Sequence, residues 1–155
     1  MKRDELFTFI QEIEDPVSDY PKILSALHYT HFFLMDKHKK VLAVYDLTPI
    51  QSNVLSIIVY KHPTAASLEE IKEMVLEPGS DVSRTVVRLT QKGFVKKVID
   101  PKNKRKLAIA VTPEGLDVFS KINSDNSFLK NEVSYSIDEA VNFINFLKKL
   151  REETN

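Results

Sequence analysis

Residues 84–106 read RTVVRLTQKGFVKKVIDPKNKRK and hold nine of the chain's 22 basic residues against one acid, Asp100. The nine are Arg84, Arg88, Lys92, Lys96, Lys97, Lys102, Lys104, Arg105 and Lys106. The whole chain has 22 acids and zero net charge, so nine bases less one acid leave +8 here and −8 elsewhere. Positive charge gathered on one structural unit is what a polyanion meets. The stretch begins in a helical pattern, passes Gly93 into β-prone residues, and reaches a turn reading Lys102-Asn103-Lys104-Arg105-Lys106. That order predicts a recognition helix followed by a basic wing, with double-stranded DNA as the first candidate partner.

Working outward, Glu77-Pro78-Gly79 precedes a helix expected from near Ser80 to Gly93, with Val82, Val86 and Leu89 facing inward. Phe94, Val95, Val98 and Ile99 then favour strand. Leu107, Ile109 and Val111 alternate with Lys106, Ala108 and Ala110, so 94–112 reads as a β-hairpin turning at Asp100-Pro101-Lys102-Asn103. Four further helix starts carry their own capping chemistry. They are Thr48-Pro49-Ile50-Gln51, Ser67-Leu68-Glu69-Glu70, Thr112-Pro113-Glu114 and Ser136-Ile137-Asp138-Glu139. Residues 3–14 suit a short amphipathic helix, and a long helix is expected over about 21–44. The fold class is mainly α with a small β-hairpin: a winged helix-turn-helix over 46–112. Helices at 1–45 and 113–155 are left for dimerisation and a pocket.

Composition excludes several chemistries. The chain has no cysteine, hence no disulfide, thiolate metal site or cysteine nucleophile. Its three glycines, at 79, 93 and 115, lie too far apart for a phosphate-cradling loop. No run of 18 apolar residues predicts a membrane span, and the acid-rich start argues against an export signal. A cytoplasmic protein is expected, with neither enzyme activity nor cofactor.

In order and spacing, these pieces resemble the MarR family of bacterial transcription regulators. The resemblance is carried by Leu47-Thr48-x-x-Gln51-x-x-Val54-Leu55, Ser80-Asp81-Val82-Ser83-Arg84 with Val86 and Arg88-Leu89, Lys92-Gly93-Phe94-Val95, Asp100-Pro101-x-x-x-Arg105, and Val111-Thr112-x-x-Gly115. It implies a homodimer whose end helices intertwine, one winged domain per subunit on DNA, and a small-molecule pocket between dimer helices and winged domain. Two positions depart from the family's pattern. Asn103-Lys104-Arg105 stands where Asp-Arg-Arg is common, and Val87 stands where an acid is common. Both remove a negative charge, so an Asp–Arg pair inside the domain is missing.

Candidate site residues follow. Ser80, Ser83, Arg84 and Thr85 lie near the start of the recognition helix and are expected to avoid its core face. Arg84 is the expected base contact, since arginine binds guanine bidentately for about 1–3 kcal/mol of discrimination. Arg88 is placed on phosphate or against the wing, and unpaired amides at the helix start favour phosphate. In the wing, Arg105 is assigned to the minor groove, with Lys102, Asn103 and Lys104 flanking it. The plainer alternative is a solvated helix face followed by an ordinary polar turn.

His28, His31 and His38 recur at spacings of three and seven. Imidazoles at i and i+3 can chelate zinc, but no acid or cysteine completes a site, so packing is favoured and no metal is assigned. With Tyr29 and Phe32, His28 and His31 are the candidates near the implied pocket. Phe7 and Ile10 at one end, and Ile137, Val141, Ile144 and Leu147 at the other, exceed what a lone winged domain covers and are assigned to a dimer interface. Packing within one chain against 21–44 is the alternative. The leading expectation is a homodimeric sequence-specific regulator, a repressor of a palindromic operator released by a small ligand and nucleoid-associated when bound. A winged-helix protein–protein adaptor is the second.

Overall fold

A computed structural model describes Thr8 and residues 20–99, 107–125 and 136–152. These fall into two compact units that part after Ile122. The first holds α1 (Tyr20–Val44), α2 (Pro49–Lys61), β1 (Ala66–Ser67), α3 (Leu68–Met74), α4 (Val82–Gln91), β2 (Val95–Ile99), β3 (Leu107–Val111) and most of α5 (Pro113–Asp125). This is a winged helix-turn-helix: mostly helical, with one small antiparallel sheet.

The helix starts are built by the capping residues. Thr48 Oγ1 accepts the Gln51 amide at 3.4 Å, and Gln51 Oε1 accepts the Thr48 amide at 3.1 Å. Ser67 and Glu70 repeat the exchange at α3, at 3.1 and 2.8 Å. Each pair satisfies two amides that a helix start leaves open. The apolar faces that follow converge on one core, in which Leu42, Leu55, Ile58, Ile71, Leu89 and Val95 are fully buried. Each such side chain contributes about 1.5–3 kcal/mol by leaving water.

The sheet is three-stranded in the order β1-β3-β2, all antiparallel. The β2–β3 hairpin is the wing expected from sequence, registering Val95 on Val111 and Ile99 on Leu107. The third strand has no sequence signal: β1 spans two residues, too few to show alternation, and Ser67 doubles as the cap of α3. The alternation read for β3 agrees with the burial of Ile109 and Val111, but burial does not follow it at the outer end, where Leu107 is exposed and Ala108 is buried. β3 is the central strand, so the Ala108 methyl is closed in between Ser67 and Val98, while Leu107 sits with Ile99 on the outermost described rung.

The second unit contains α6 (Ile137–Glu152), again started by a reciprocal cap: Glu139 accepts the Ser136 amide at 2.7 Å and donates its own to Ser136 Oγ at 3.2 Å. The Ser136 amide, and after it the Ser136 hydroxyl donating at 2.8 Å, hold the Glu139 carboxyl below the usual carboxylate range. α6 has no buried residue. Among the described residues, no single helix is long and apolar enough to cross a membrane.

Candidate nucleic-acid interface

α4 divides cleanly into two faces. Val82, Thr85, Val86 and Leu89 are buried, whereas Ser83, Arg84, Val87, Arg88 and Gln91 are exposed. At 3.6 residues per turn, positions 82, 85, 86 and 89 form one stripe, so the polar remainder is pushed outward. Arg84 and Arg88 therefore stand one turn apart on the open side, with Ser83 beside them.

Three expectations about the helix start are corrected here. Thr85 belongs to the inner stripe: it is 7% exposed and its hydroxyl donates to the Asp81 carbonyl at 2.9 Å. It cannot reach a groove without unpacking the helix. Ser80 precedes the helix, half-buried, with its hydroxyl donated to the Glu77 carbonyl at 2.8 Å. The true N-cap is Asp81, whose carboxylate accepts the Arg84 amide at 2.9 Å. An acid thus takes up an amide that sequence reasoning left open for phosphate. Asp immediately before an apolar-periodic stretch is itself a cap signal and could have shown this.

Hydrogen bonds bolt the wing to the rear of α4. Phe94 N donates to Leu89 O at 3.0 Å, Thr112 N to Phe94 O at 3.1 Å, and Thr112 Oγ1 to Gly93 O at 2.6 Å. Gly93 turns the chain with φ of 77°, a left-handed conformation that glycine enters freely. The basic strand β2 consequently leaves directly from α4, with Lys96 and Lys97 both exposed. The wing-tip candidates Lys102, Asn103, Lys104 and Arg105 lie outside the described residues. Lys92 departs from the basic group: its ammonium pairs with the Asp46 carboxylate and backbone carbonyl. Asp46 is 46 residues away and gave no local signal.

On α1, His28, His31 and Phe32 are exposed and Tyr29 is half-buried. Tyr29 stacks on Phe33 with centroids 6.5 Å apart, His31 meets Phe32 edge-on at 5.6 Å, and Lys37 Nζ lies 5.0 Å from the Phe33 ring centre. Phe33 and Lys37 were missed by sequence, since neither breaks the helical pattern. Among the described residues no group of three histidines or acids could hold a metal ion. Of the interface candidates, Ile137, Val141 and Ile144 are exposed and Leu147 is half-buried, while Phe7 and Ile10 lie outside the described residues.

Residues 45–106, from the end of α1 into the hairpin, match the MarR family. The likeness of fold reaches beyond them: a putative MarR-like transcription regulator from Bacillus cereus superposes with a TM-score of 0.70 at 16% identity, covering 89% of this chain and 99% of its own. A MepR mutant from S. aureus, bound to an oligodeoxyribonucleotide, gives 0.60 at 17% identity over 84% of this chain and 96% of its own. BpsR from Bordetella bronchiseptica, described for regulation of its DNA binding by 6-hydroxynicotinic acid, gives 0.67 at 18% identity over 81% and 90%. No curated protein matches the chain. The likeness of fold thus extends beyond residues 45–106.

Proposed function

We propose that this protein is a homodimeric, sequence-specific DNA-binding regulator, a repressor whose hold on a palindromic operator is released by a small ligand. The observation that carries the reading is the outward face of α4, where Ser83, Arg84 and Arg88 are exposed above a fully buried inner stripe. Arg84 reads a base edge in the major groove, Ser83 and Arg88 hold phosphates, and Ser80 offers only its acceptor lone pairs. Arg105 enters the minor groove with Lys102, Asn103 and Lys104 on flanking phosphates. MepR binds an oligonucleotide on the same fold.

Residues 46–112 make the DNA-binding part, and residues 1–45 and 113–155 supply dimerisation and the pocket. The exposed apolar residues of α6 support a second copy as their cover, with Phe7 and Ile10 joining Ile137, Val141, Ile144 and Leu147. His28, Tyr29, His31 and Phe32 line the effector pocket. BpsR, whose DNA binding responds to a small aromatic acid, supports such a ligand. Ligand and DNA then oppose each other through one coupling energy.

The test is a salt titration on duplexes enriched by the protein from a randomised pool. Arg84→Ala with Arg105→Ala should weaken binding, by about 1–3 kcal/mol for the lost Arg84 base contact alone, and lower the salt slope through the two cations removed from the grooves. Binding of the double variant with wild-type affinity and slope would refute the reading and favour a protein-binding adaptor.

A further inference from the structure

α1 ends in a turn whose sequence is poorly suited to it. Leu47 N donates to Leu42 O at 3.0 Å and Asp46 N to Ala43 O at 3.1 Å, the paired bonds of a Schellman motif. The residue after the cap is Asp46, with φ of 52°. Glycine occupies that left-handed position freely; aspartate is one of the few other residues that enter it, at a steric cost that glycine avoids. A strained residue kept where a better one exists points to a task for its side chain. Here the Asp46 carboxylate and its own carbonyl both accept the ammonium of Lys92, the residue that caps the rear end of α4.

The partners sit at two joints. Asp46 lies in the turn where α1 and α2 meet at 76°, and Lys92 lies where the recognition helix gives way, through Gly93, to the wing. The Lys92 side chain is 23% exposed and the Asp46 side chain 96% exposed. We propose that Lys92 is a positioning residue and no phosphate contact: with Asp46 it ties the rear of α4 to the α1–α2 turn, fixing the tilt at which Ser83, Arg84 and Arg88 meet a duplex. This inference rests on the DNA-binding reading above.

Charge and position make opposite forecasts for one variant. Asp46→Gly retains the turn and removes an acid from the basic side of the molecule, so electrostatics alone would tighten binding. The strut requires the reverse: about fivefold weaker binding to the enriched duplex, the effect of losing one exposed ion pair. Lys92→Met should weaken binding by a similar factor with an unchanged salt slope, and the double variant should be no worse than either single. Fluorescence anisotropy between about 50 and 200 mM salt reads affinity and slope together. Asp46→Gly binding as tightly as wild type, or Lys92→Met lowering the slope by about 1, would overturn the proposal. Arg84→Ala separates the two readings. If it weakens binding while Asp46→Gly does not, the strut alone falls; if wild type enriches no duplex, both fall.

Discussion

Gly115 lies so close to Phe94 that a Cβ added to it would stand 2.1 Å from the Phe94 carbonyl oxygen and 2.9 Å from its carbonyl carbon. The same site is pinched by Val111, whose Cγ2 would lie at 2.9 Å. Thr112 draws these segments together: its hydroxyl donates to Gly93 and accepts the Gly115 amide at 3.1 Å, starting α5 directly against the root of the wing. The obstacle is backbone, which a rotamer change cannot move aside. Gly115→Ala should therefore cost at least about 2 kcal/mol, within the range of overpacked sites. Urea unfolding followed by far-UV circular dichroism would register it as a lower midpoint. A variant as stable as wild type would show that α5 can back away from Phe94 freely.

Thr85 separates a stability role from a DNA role. Its hydroxyl is committed to the Asp81 carbonyl and its side chain is buried beside Val82, Val86 and Leu89. Thr85→Val keeps the shape and removes one hydrogen bond, so a loss of about 0.5–1.5 kcal/mol in unfolding free energy is expected. DNA affinity and its salt slope should stay at wild-type values. A fall in affinity without a fall in stability would return Thr85 to the groove-facing set.

How far the sequence could be read follows from which signals are local. The caps at Thr48, Ser67, Thr112 and Ser136 are short-range hydrogen-bond patterns, and each begins its helix where the residue types predict. The inner stripe of α4 was legible through Val82, Val86 and Leu89 because apolar residues at that spacing must share a face. Thr85 was misplaced because a threonine on the stripe reads as polar until its hydroxyl is seen paired to the backbone one turn back. β1 escaped notice because two residues have no period. Asp46 and Lys92 escaped because an ion pair between two turns leaves no trace along the chain.

Glu70 gives the fold an acid-sensitive joint. The Ser67 amide, and after it the Lys61 ammonium at 3.1 Å, lower its carboxyl from 4.5 to about 2. A carboxyl depressed in the folded state stabilises wherever it is ionised, so its contribution is complete above the ordinary value. That contribution is lost as pH falls from about 4.5 through about 2. Glu70→Gln keeps an oxygen for the Ser67 amide but carries no charge toward Lys61. The urea midpoint of wild type should drop across that window, and the variant should show a shallower drop from a lower starting point. Parallel curves for the two proteins would assign the acid sensitivity to other carboxyls.

α6 offers the sharpest test of assembly. Ile137, Val141 and Ile144 recur at i, i+4 and i+7, and Phe143 and Phe146 flank them, yet all five are at least 43% exposed. A helix apolar on one stripe gains little from forming alone, since its stability comes from what that stripe packs against. In a two-fold dimer each stripe meets its own copy, so one acid per chain introduces two buried charges at the axis. Ile144→Glu should shift the sedimenting species from near twice 17.8 kDa to a single chain at micromolar concentration. The near-UV and thermal signature of the winged domain should persist, because Ile144 lies outside its core. The preference for palindromes should vanish as well, since two recognition helices about 34–36 Å apart need both subunits. An Ile144→Glu protein that sediments like wild type would show that the stripe is covered by something other than a second copy.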